Sequence, residues 1–280
     1  MAPAASRPIL PDELTENILL RLDAAADVVR AAVACGDHLR IARHRCFQRQ
    51  FRSLRPPPVL GLLPSGGAEL ICAEPPHRSA PAARAVAREG DFAFSFLPRD
   101  PAAFTDWRVF DARDGRVLLS RRSTEAATFV DLVICDPPHR RYVLIPPIPD
   151  EVVLKRYSAK MESEPFLAAA CEGEESKFQV IYNWISQYKI DTFVFSSDTG
   201  KWCAATSISF LPSRLIANPK VLRRYYVGSH FYWVHGPYGH MLVLDQIEMK
   251  FSIVAIPFDG NDYIYGIYQA CESSPFSMLE

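Results

Sequence analysis

No stretch of this 280-residue chain approaches the ~20 consecutive apolar residues that a membrane-spanning helix needs, so none is expected and the protein reads as soluble. Met1 to Arg7 is rich in Ala and Pro, and no long apolar run follows its charge. It reads as a disordered tail, neither a signal peptide nor an anchor. The seven cysteines (Cys35, Cys46, Cys72, Cys135, Cys171, Cys203 and Cys271) are scattered and never form a C-x-x-C pair. That argues against a zinc site or a disulfide framework and points to reduced, mostly buried thiols in the cytoplasm or nucleus. Neither sign of charge dominates: the net charge is −1, so no global field draws the chain to nucleic acid or an anionic membrane. A G-x-S-x-G elbow, a P-loop and an H-E-x-x-H helix are all lacking, so no catalytic residue, metal or cofactor is nominated. Glycine is scarce, 13 residues against 23 prolines, which suits short strands and turns better than long helices.

What is present falls into two parts. Apolar residues make up 49% of the chain and charged residues 22%, enough to build a packed core. In the first fifty residues Leu10, Leu14, Ile18 and Leu22 recur every four positions with Leu19 beside them, predicting one short helix. Pro11 suits its first turn, and Asp12, Glu13 and Glu16 complement its dipole. Asp27 is placed to cap a second helix carrying Val28, Ala31, Ala32 and Val33. Gly36 and Asp37 break the chain, and a third helix is expected from His38 to Phe51, ended by Pro56, Pro57 and Pro58. Three short helices bury too little surface alone, so such a unit gains stability from a partner or from the next domain.

From Val59 the pattern becomes short β runs separated by Pro, Gly, Asp and Ser. Strands are expected at Val59–Leu63, Phe92–Phe96, Trp107–Phe110, Val117–Ser120, Phe129–Cys135 and Tyr142–Ile145. More follow at Phe178–Trp184, Asp191–Phe195, Lys201–Ala205, Tyr225–Val234, Met241–Leu244 and Phe251–Ile256. Ala73 to Arg88 reads as an exposed loop and Glu162 to Lys177 as an acidic connection. A unit of apolar strand, polar turn and aromatic recurs as Cys135, Asp136, Tyr142, then Phe195, Ser196, Trp202, then Leu244, Asp245, Phe251. The units are spaced by 60 and 49 residues, and recurrence near ~45–50 residues fits the blades of a propeller, although hairpins of another all-β fold give the same echo.

The opening residues Leu10-Pro11-Asp12-Glu13-Leu14, with Ile18-Leu19, Leu22, Val28, Arg30, Val33 and Cys35, resemble an F-box. Trp107 to Asp111 through Gly115 to Leu119, and Val133 to Pro137 running on to Arg141–Pro147, are similar to the F-box-associated β-propellers of grasses. Phe231-Tyr232-Trp233 and Leu242 to Asp245 fit the same template. The resemblance implies an all-β partial propeller of antiparallel four-stranded blades over residues 59–280, preceded by a small three-helix F-box domain over residues 8–55. Four or five blades are expected, incomplete on the C-terminal side, since Ser273 to Glu280 does not resemble a closing strand. It further implies the substrate-recognition subunit of an SCF-type ubiquitin ligase, bound to a Skp-type adaptor and through it a cullin, with an unidentified protein target and no catalytic residue. The chain departs from the pattern at His38 and Leu39, where an F-box often carries a tryptophan; a binding or scaffold protein with a degenerate F-box is the alternative.

Adaptor-binding residues implied by the resemblance are Leu10, Pro11, Leu14, Ile18, Leu19, Leu22, Val28 and Val33. Periodicity alone favours the inward face of a small bundle; the proline-led start, small size and domain order assign part of the stripe outward. The basic run Arg40, Arg43, His44, Arg45, Arg49, Arg52 and Arg55 lacks interleaved aromatics and reads as a solvated helix face, so no nucleic-acid partner is expected. His230, His235 and His240 lack a Cys or acidic companion at metal spacing. Trp107, Trp184, Trp202 and Trp233 read as core between blades, and Tyr188, Tyr225, Tyr226 and Tyr238 lie near turns. A propeller enzyme acting on a sugar would need a polar, metal- or acid-lined central pocket.

Overall fold

The computed structural model describes residues 10–55, 59–64, 69–103, 105–121, 130–150, 152, 162–168, 177–186, 188–209, 223–235 and 240–255. The chain divides into a helical unit that ends at Pro57 and a β unit that begins at Pro58.

The helical unit holds α1 (Asp12–Leu20), α2 (Ala25–Ala34), α3 (Gly36–Ala42) and α4 (Arg45–Leu54), four helices where three were expected. Pro11 is the N-cap of α1, and its carbonyl accepts from the Leu14 and Thr15 N–H groups at 3.1 and 3.0 Å. Asp12 and Glu13 follow in the positive first turn. Asp27 does not cap α2. Ala24 holds that position and Asp27, the third residue of the helix, pairs with Arg30 at 2.5 Å. The helix expected from His38 to Phe51 breaks at Arg43 and His44, because His44 is extended (φ −72°, ψ 130°). Gln48 donates to the orphaned Ala42 carbonyl at 3.1 Å, which stabilises the break. Leu19, Leu20, Val28, Ile41, Phe47 and Phe51 form the core, with Leu22, Ala31 and Ala42 packed against it.

The β unit opens with a two-stranded ribbon, β1 (Gly61–Leu62) and β2 (Ile71–Cys72), and a helix, α5 (Ala80–Glu89). That helix lies where a loop was expected. Its alanines favour a helix, Pro81 is tolerated in the first turn, and Ala80 and Ala83 are buried. Three four-stranded antiparallel meanders follow. The first is β3 (Arg108–Arg113), β4 (Arg116–Arg121), β5 (Asp131–Asp136) and β6 (Arg141–Ile145). The second is β7 (Glu162–Leu167), β8 (Gln179–Ile185), β9 (Lys189–Ser196) and β10 (Lys201–Ser209). The third is β11 (Arg223–Val227), β12 (His230–His235), β13 (His240–Asp245) and β14 (Lys250–Ala255). These three are the four-stranded sheets among the described residues; Ile256 to Glu280, including the end of the last expected strand, lies outside them.

The sheets stack face to face. Leu118, Ile134 and Ile145 of the first bury against Tyr182, Trp184, Phe195 and Trp202 of the second. Phe166, Ile181, Ile190 and Val194, on the second sheet's other face, pack against Phe231, Trp233, Leu242 and Leu244 of the third. The first sheet's outer face carries Val117, Leu119, Val133 and Cys135, covered by Phe92, Phe94 and Leu97. A strand buried on both sides takes apolar residues at consecutive positions, as in Val117–Leu119, Leu132–Cys135, Val180–Tyr182 and Phe193–Phe195, although Asn183, Asp191 and Thr192 are polar and buried on β8 and β9.

Three strand expectations need correction. Phe92–Phe96 is a chain of turns with Phe94 at φ +56°, and Leu97 N–H bonds back to the Phe94 carbonyl at 3.1 Å. Its alternating phenylalanines imitate a strand because Phe92 and Phe94 both reach the core. Glu162 to Leu167 is not a connection but the edge strand of the second sheet. Pro165 is tolerated there because its missing N–H faces no partner. Tyr225–Val234 is two strands, turned at Gly228 (φ +63°) and Ser229.

The sequence echo corresponds to the outer hairpin of each sheet. Cys135 pairs with Tyr142, Phe195 with Trp202 and Leu244 with Phe251, and each pair sits one step from a four-residue turn. Asp136, Ser196 and Asp245 open those turns by accepting backbone N–H groups two or three residues on. The fourth turn residue is left-handed in all three: Arg140 at +50°, Gly200 at +66° and Met249 at +50°.

Candidate functional site

On the helical unit the predicted stripe splits. Leu19 and Val28 are 2% and 7% exposed and belong to the core, with Leu22 half-buried beside them. Leu10, Leu14 and Ile18 point outward, 48%, 53% and 54% exposed, and Pro11 is exposed at the same end. On α2, Val33 is 83% exposed and Val29 60%. Val29 was missed by the sequence reading. The Val28-Val29 doublet held the signal, since neighbours on a helix face about 100° apart and only one can point inward. Leu10, Leu14 and Ile18 follow four-residue spacing, as do Val29 and Val33, so each helix presents one apolar strip to solvent. Asp12 and Arg40 are linked at 2.6 Å and tie α1 to α3; the Arg40 hydrogen bond lowers the Asp12 pKa.

The basic run spreads over α3, α4 and the break between them rather than over one helix face. Arg40 is paired with Asp12, and Arg55 lies 4.8 Å from the centroid of the Phe51 ring.

In the β unit, the first strands of the three sheets converge on one polar cluster. Arg224 of β11 donates to Glu164 of β7 at 3.0 Å and lies 3.3 Å from Asp111 of β3. Trp233 donates its indole N–H to the other Glu164 oxygen at 2.9 Å, and the Leu167 N–H donates to Asp111 at 2.8 Å. The Arg224 guanidinium sits 4.1 Å from the Phe166 ring centroid. Burial pushes the Glu164 carboxyl pKa up, and Arg224 beside it pulls it back. Beside Glu164 on the same face, Thr192 donates to Asn183 at 2.7 Å. Each carboxylate is committed to a donor on a neighbouring sheet, which suits a clamp between first strands rather than acid–base chemistry. The cluster was missed because Glu164 fell in the supposed connection, and no local spacing relates residues 53 and 60 positions apart.

Trp184, Trp202 and Trp233 are buried between sheets as expected, and Trp202 donates to the Pro146 carbonyl at 2.7 Å. Trp107 is half-buried; its indole bonds to the Pro98 carbonyl at 2.9 Å, under the Arg121 guanidinium. Tyr188 is exposed, Tyr225 and Tyr226 are half-buried, and Tyr238 lies outside the described residues. His235 and His240 are register partners, while His230 sits 3.4 Å from Asp245. Among the described residues no group of three or more His, Cys, Asp or Glu is placed to hold a metal ion. The thiols correct one expectation: of the five described cysteines only Cys135 is buried, while Cys46 and Cys203 are exposed. Burial pushes the Cys135 thiol pKa up to about 12.

The family model described as F-box protein AT5G49610-like, beta-propeller, matches residues 108–273. That span begins at the first residue of β3 and takes in all three stacked sheets. No curated protein matches the chain.

Proposed function

The chain belongs to the F-box protein AT5G49610-like β-propeller family, and on that premise we propose that it is the substrate-recognition subunit of an SCF-type ubiquitin ligase. In this reading the helical unit is an F-box that docks on a Skp-type adaptor, the adaptor joins a cullin, and the propeller holds a target protein. No residue of this chain performs chemistry. The target is delivered at high effective concentration to an enzyme carried elsewhere in the complex. The complex would work in the cytoplasm, the nucleus or both.

The observation that carries the reading is the outward apolar strip of Leu10, Leu14, Ile18, Val29 and Val33 on a unit of four short helices. Apolar side chains left in water on so small a unit are what a partner groove gains by covering, at ~1.5–3 kcal/mol for each fully buried one. The test is co-purification of the full chain with a Skp-type adaptor. Leu14→Asp combined with Ile18→Asp places two charges on the strip without touching the core, so recovery of the adaptor is expected to fall by at least ~100-fold while the circular dichroism spectrum is kept. Undiminished recovery by that double variant rejects the surface. One observation favours the alternative of a scaffold with a degenerate F-box: His38 sits near where an F-box often has tryptophan, its ring nitrogen 3.2 Å from the Ala31 carbonyl. Stable one-to-one recovery with the adaptor excludes that alternative.

A further inference from the structure

We propose that the open edge of β6, in the first sheet, binds an uncharged extended segment of a second protein as a fifth strand. The proposal rests on the target-receptor reading only in calling that protein a target; the edge itself needs no adaptor.

β6 is the last strand of its sheet and pairs only with β5 among the described residues. Every second residue of such a strand turns its N–H and C=O away from its neighbour, so the free side is a template for one more strand. The side chains are as open as the backbone. Tyr142, Val143 and Leu144 are 43%, 50% and 53% exposed, three large apolar residues in a row. Phe96, 6.4 Å away between ring centroids, shelters only part of Tyr142. Tyr142 and Leu144 lie on the sheet's outer face with their partners Cys135 and Val133, and Val143 lies on the inner face with Ile134. An added strand would therefore cover apolar surface on both faces at once.

Other edges of these sheets carry guards against such pairing. β3 and β10 are interrupted by bulges, between Val109 and Asp111 and between Ala204 and Thr206. β7 has Pro165. β14 exposes Ile253 and Val254, 44% each, but holds Lys250 and Ser252 in the same strand. From Tyr142 to Ile145, β6 has no charge, proline or bulge, and Pro146 and Pro147 mark where pairing must stop.

The edge also selects its occupant. Arg141 stands opposite Asp136 in the register, and the field of Arg140 reaches Asp91, so the turn end favours neither an acidic nor a basic segment. Alternating β-branched residues fit the two faces of such a strand. A second copy of the chain is a poor occupant. The five residues of β6 span about 17 Å, and two such edges alone fall short of the ~800 Å² per partner of a stable complex. A flexible segment can add contacts above and below the edge that a second rigid sheet cannot.

The full chain is titrated, by fluorescence anisotropy, with a labelled Thr-Val-Thr-Val-Thr-Val peptide and with the same peptide N-methylated at its two central residues. The methylated peptide keeps every side chain but loses two N–H donors, so it is expected to bind at least about tenfold more weakly. Hydrogen exchange is expected to slow in β6 on adding the first peptide and to stay as it was in β10 and β14. Val143→Lys and Leu144→Lys, at exposed positions on opposite faces, place a guard charge on the edge. Each is expected to lose most of the binding and to keep the parent's tryptophan emission. Ile253→Lys, the same kind of change on β14, is expected to alter nothing. Versions of the peptide with one Thr changed to Glu or Lys are expected to bind no more tightly than the first peptide. Equal binding of the methylated peptide, protection outside β6, full binding by both edge variants, an equal loss in Ile253→Lys, or tighter binding of a charged version overturns the proposal. So does a dimer in sedimentation that Leu144→Lys dissolves, since the edge then belongs to a second copy. A chain that recovers the adaptor but ignores the peptide fails only here, whereas one that binds the peptide and ignores the adaptor fails the ligase reading.

Discussion

Replacing Arg224 by methionine tests the clamp between the first strands. Methionine keeps an apolar stem of similar length over the Phe166 ring but removes the guanidinium that holds Glu164 at 3.0 Å and Asp111 at 3.3 Å. Both carboxylates, with side chains 19% and 16% exposed, then lose their cation. Breaking a buried pair from one side costs roughly 3–5 kcal/mol, because the remaining charge stays desolvated. For a unit of this size each kcal/mol shifts Tm by about 2–4 °C, so a fall of roughly 6–20 °C is expected. All four tryptophans lie in the β unit, so urea denaturation followed by tryptophan fluorescence reports on that unit alone.

The pH dependence gives the prediction its sign. Burial raises the Glu164 pKa above its ordinary 4.5, so the fold favours the protonated form. Its contribution is fully present below the unfolded pKa and is lost as pH rises through the folded one. Without Arg224 the folded pKa climbs further, and the lossy window extends upward. The penalty of Arg224→Met is therefore largest at neutral pH and shrinks on acidification, as Glu164 takes up a proton. Asp12, Asp91 and Asp245 have lowered pKa values and lose stability on acidification. They do so in both proteins, and the difference between the two curves cancels them. A variant within ~0.5 kcal/mol of the parent at neutral pH, or a penalty that grows in acid, refutes the clamp.

The echo yields a matched pair of substitutions. Arg140 and Gly200 occupy the same left-handed turn position in different sheets, so Gly200→Ala should cost ~1–2 kcal/mol and Arg140→Gly should gain up to ~1 kcal/mol by urea midpoint. A β-carbon at Gly200 meets nothing within 4 Å, so a loss there reports backbone conformation and not a clash. Cys135, with its thiol pushed up to about 12, should resist a thiol reagent in the native state. Cys135→Ser should then leave the native labelling count unchanged and lower the count in urea by one.

Much of the sheet architecture was legible, for a reason that also sets the limits. Strands buried on both faces carry apolar residues at consecutive positions, so β4, β5, β8, β9 and β13 stand out by runs such as Leu132 to Cys135, interrupted where a buried polar residue is paired, as Thr192 is with Asn183. Edge strands carry no such demand. β7 reads Glu-Ser-Glu-Pro-Phe-Leu because one backbone edge is unpaired and Glu164 is satisfied by Arg224 and Trp233, neither of them near in sequence. The helix at Ala80–Glu89 was hidden by Pro81, which breaks a helix interior but starts one well. On the helical unit the four-residue spacing located the stripe but could not orient it. Leu14 and Leu19 look alike in sequence, and only the packing of α3 and α4 against one side of α1 decides which is covered.

The stacking also decides where recognition can occur on the β unit. Both faces of the second sheet and the inner face of each of its neighbours are consumed by leucine, phenylalanine and tryptophan, and the first sheet's outer face is covered by Phe92, Phe94 and Leu97. A ligand cannot reach those surfaces without unpacking a core worth tens of kcal/mol at ~25 cal/mol per Å². Chemistry is therefore left to strand ends and outer edges, where turns place charged side chains beside water. Arg113 is a cation drawn into the stack at such an end, its flat face satisfied by Tyr226 and its Nε–H without an acceptor. Evolving a neutral residue there would be easy if packing were its whole role: a methionine would fill the space over Tyr226 without the desolvation cost. If Arg113→Met is more stable than the parent, the guanidinium is held against the interests of the fold. If it is less stable, the contact with the Tyr226 ring outweighs the desolvation of the cation, and the urea midpoint of the variant reads which of the two holds.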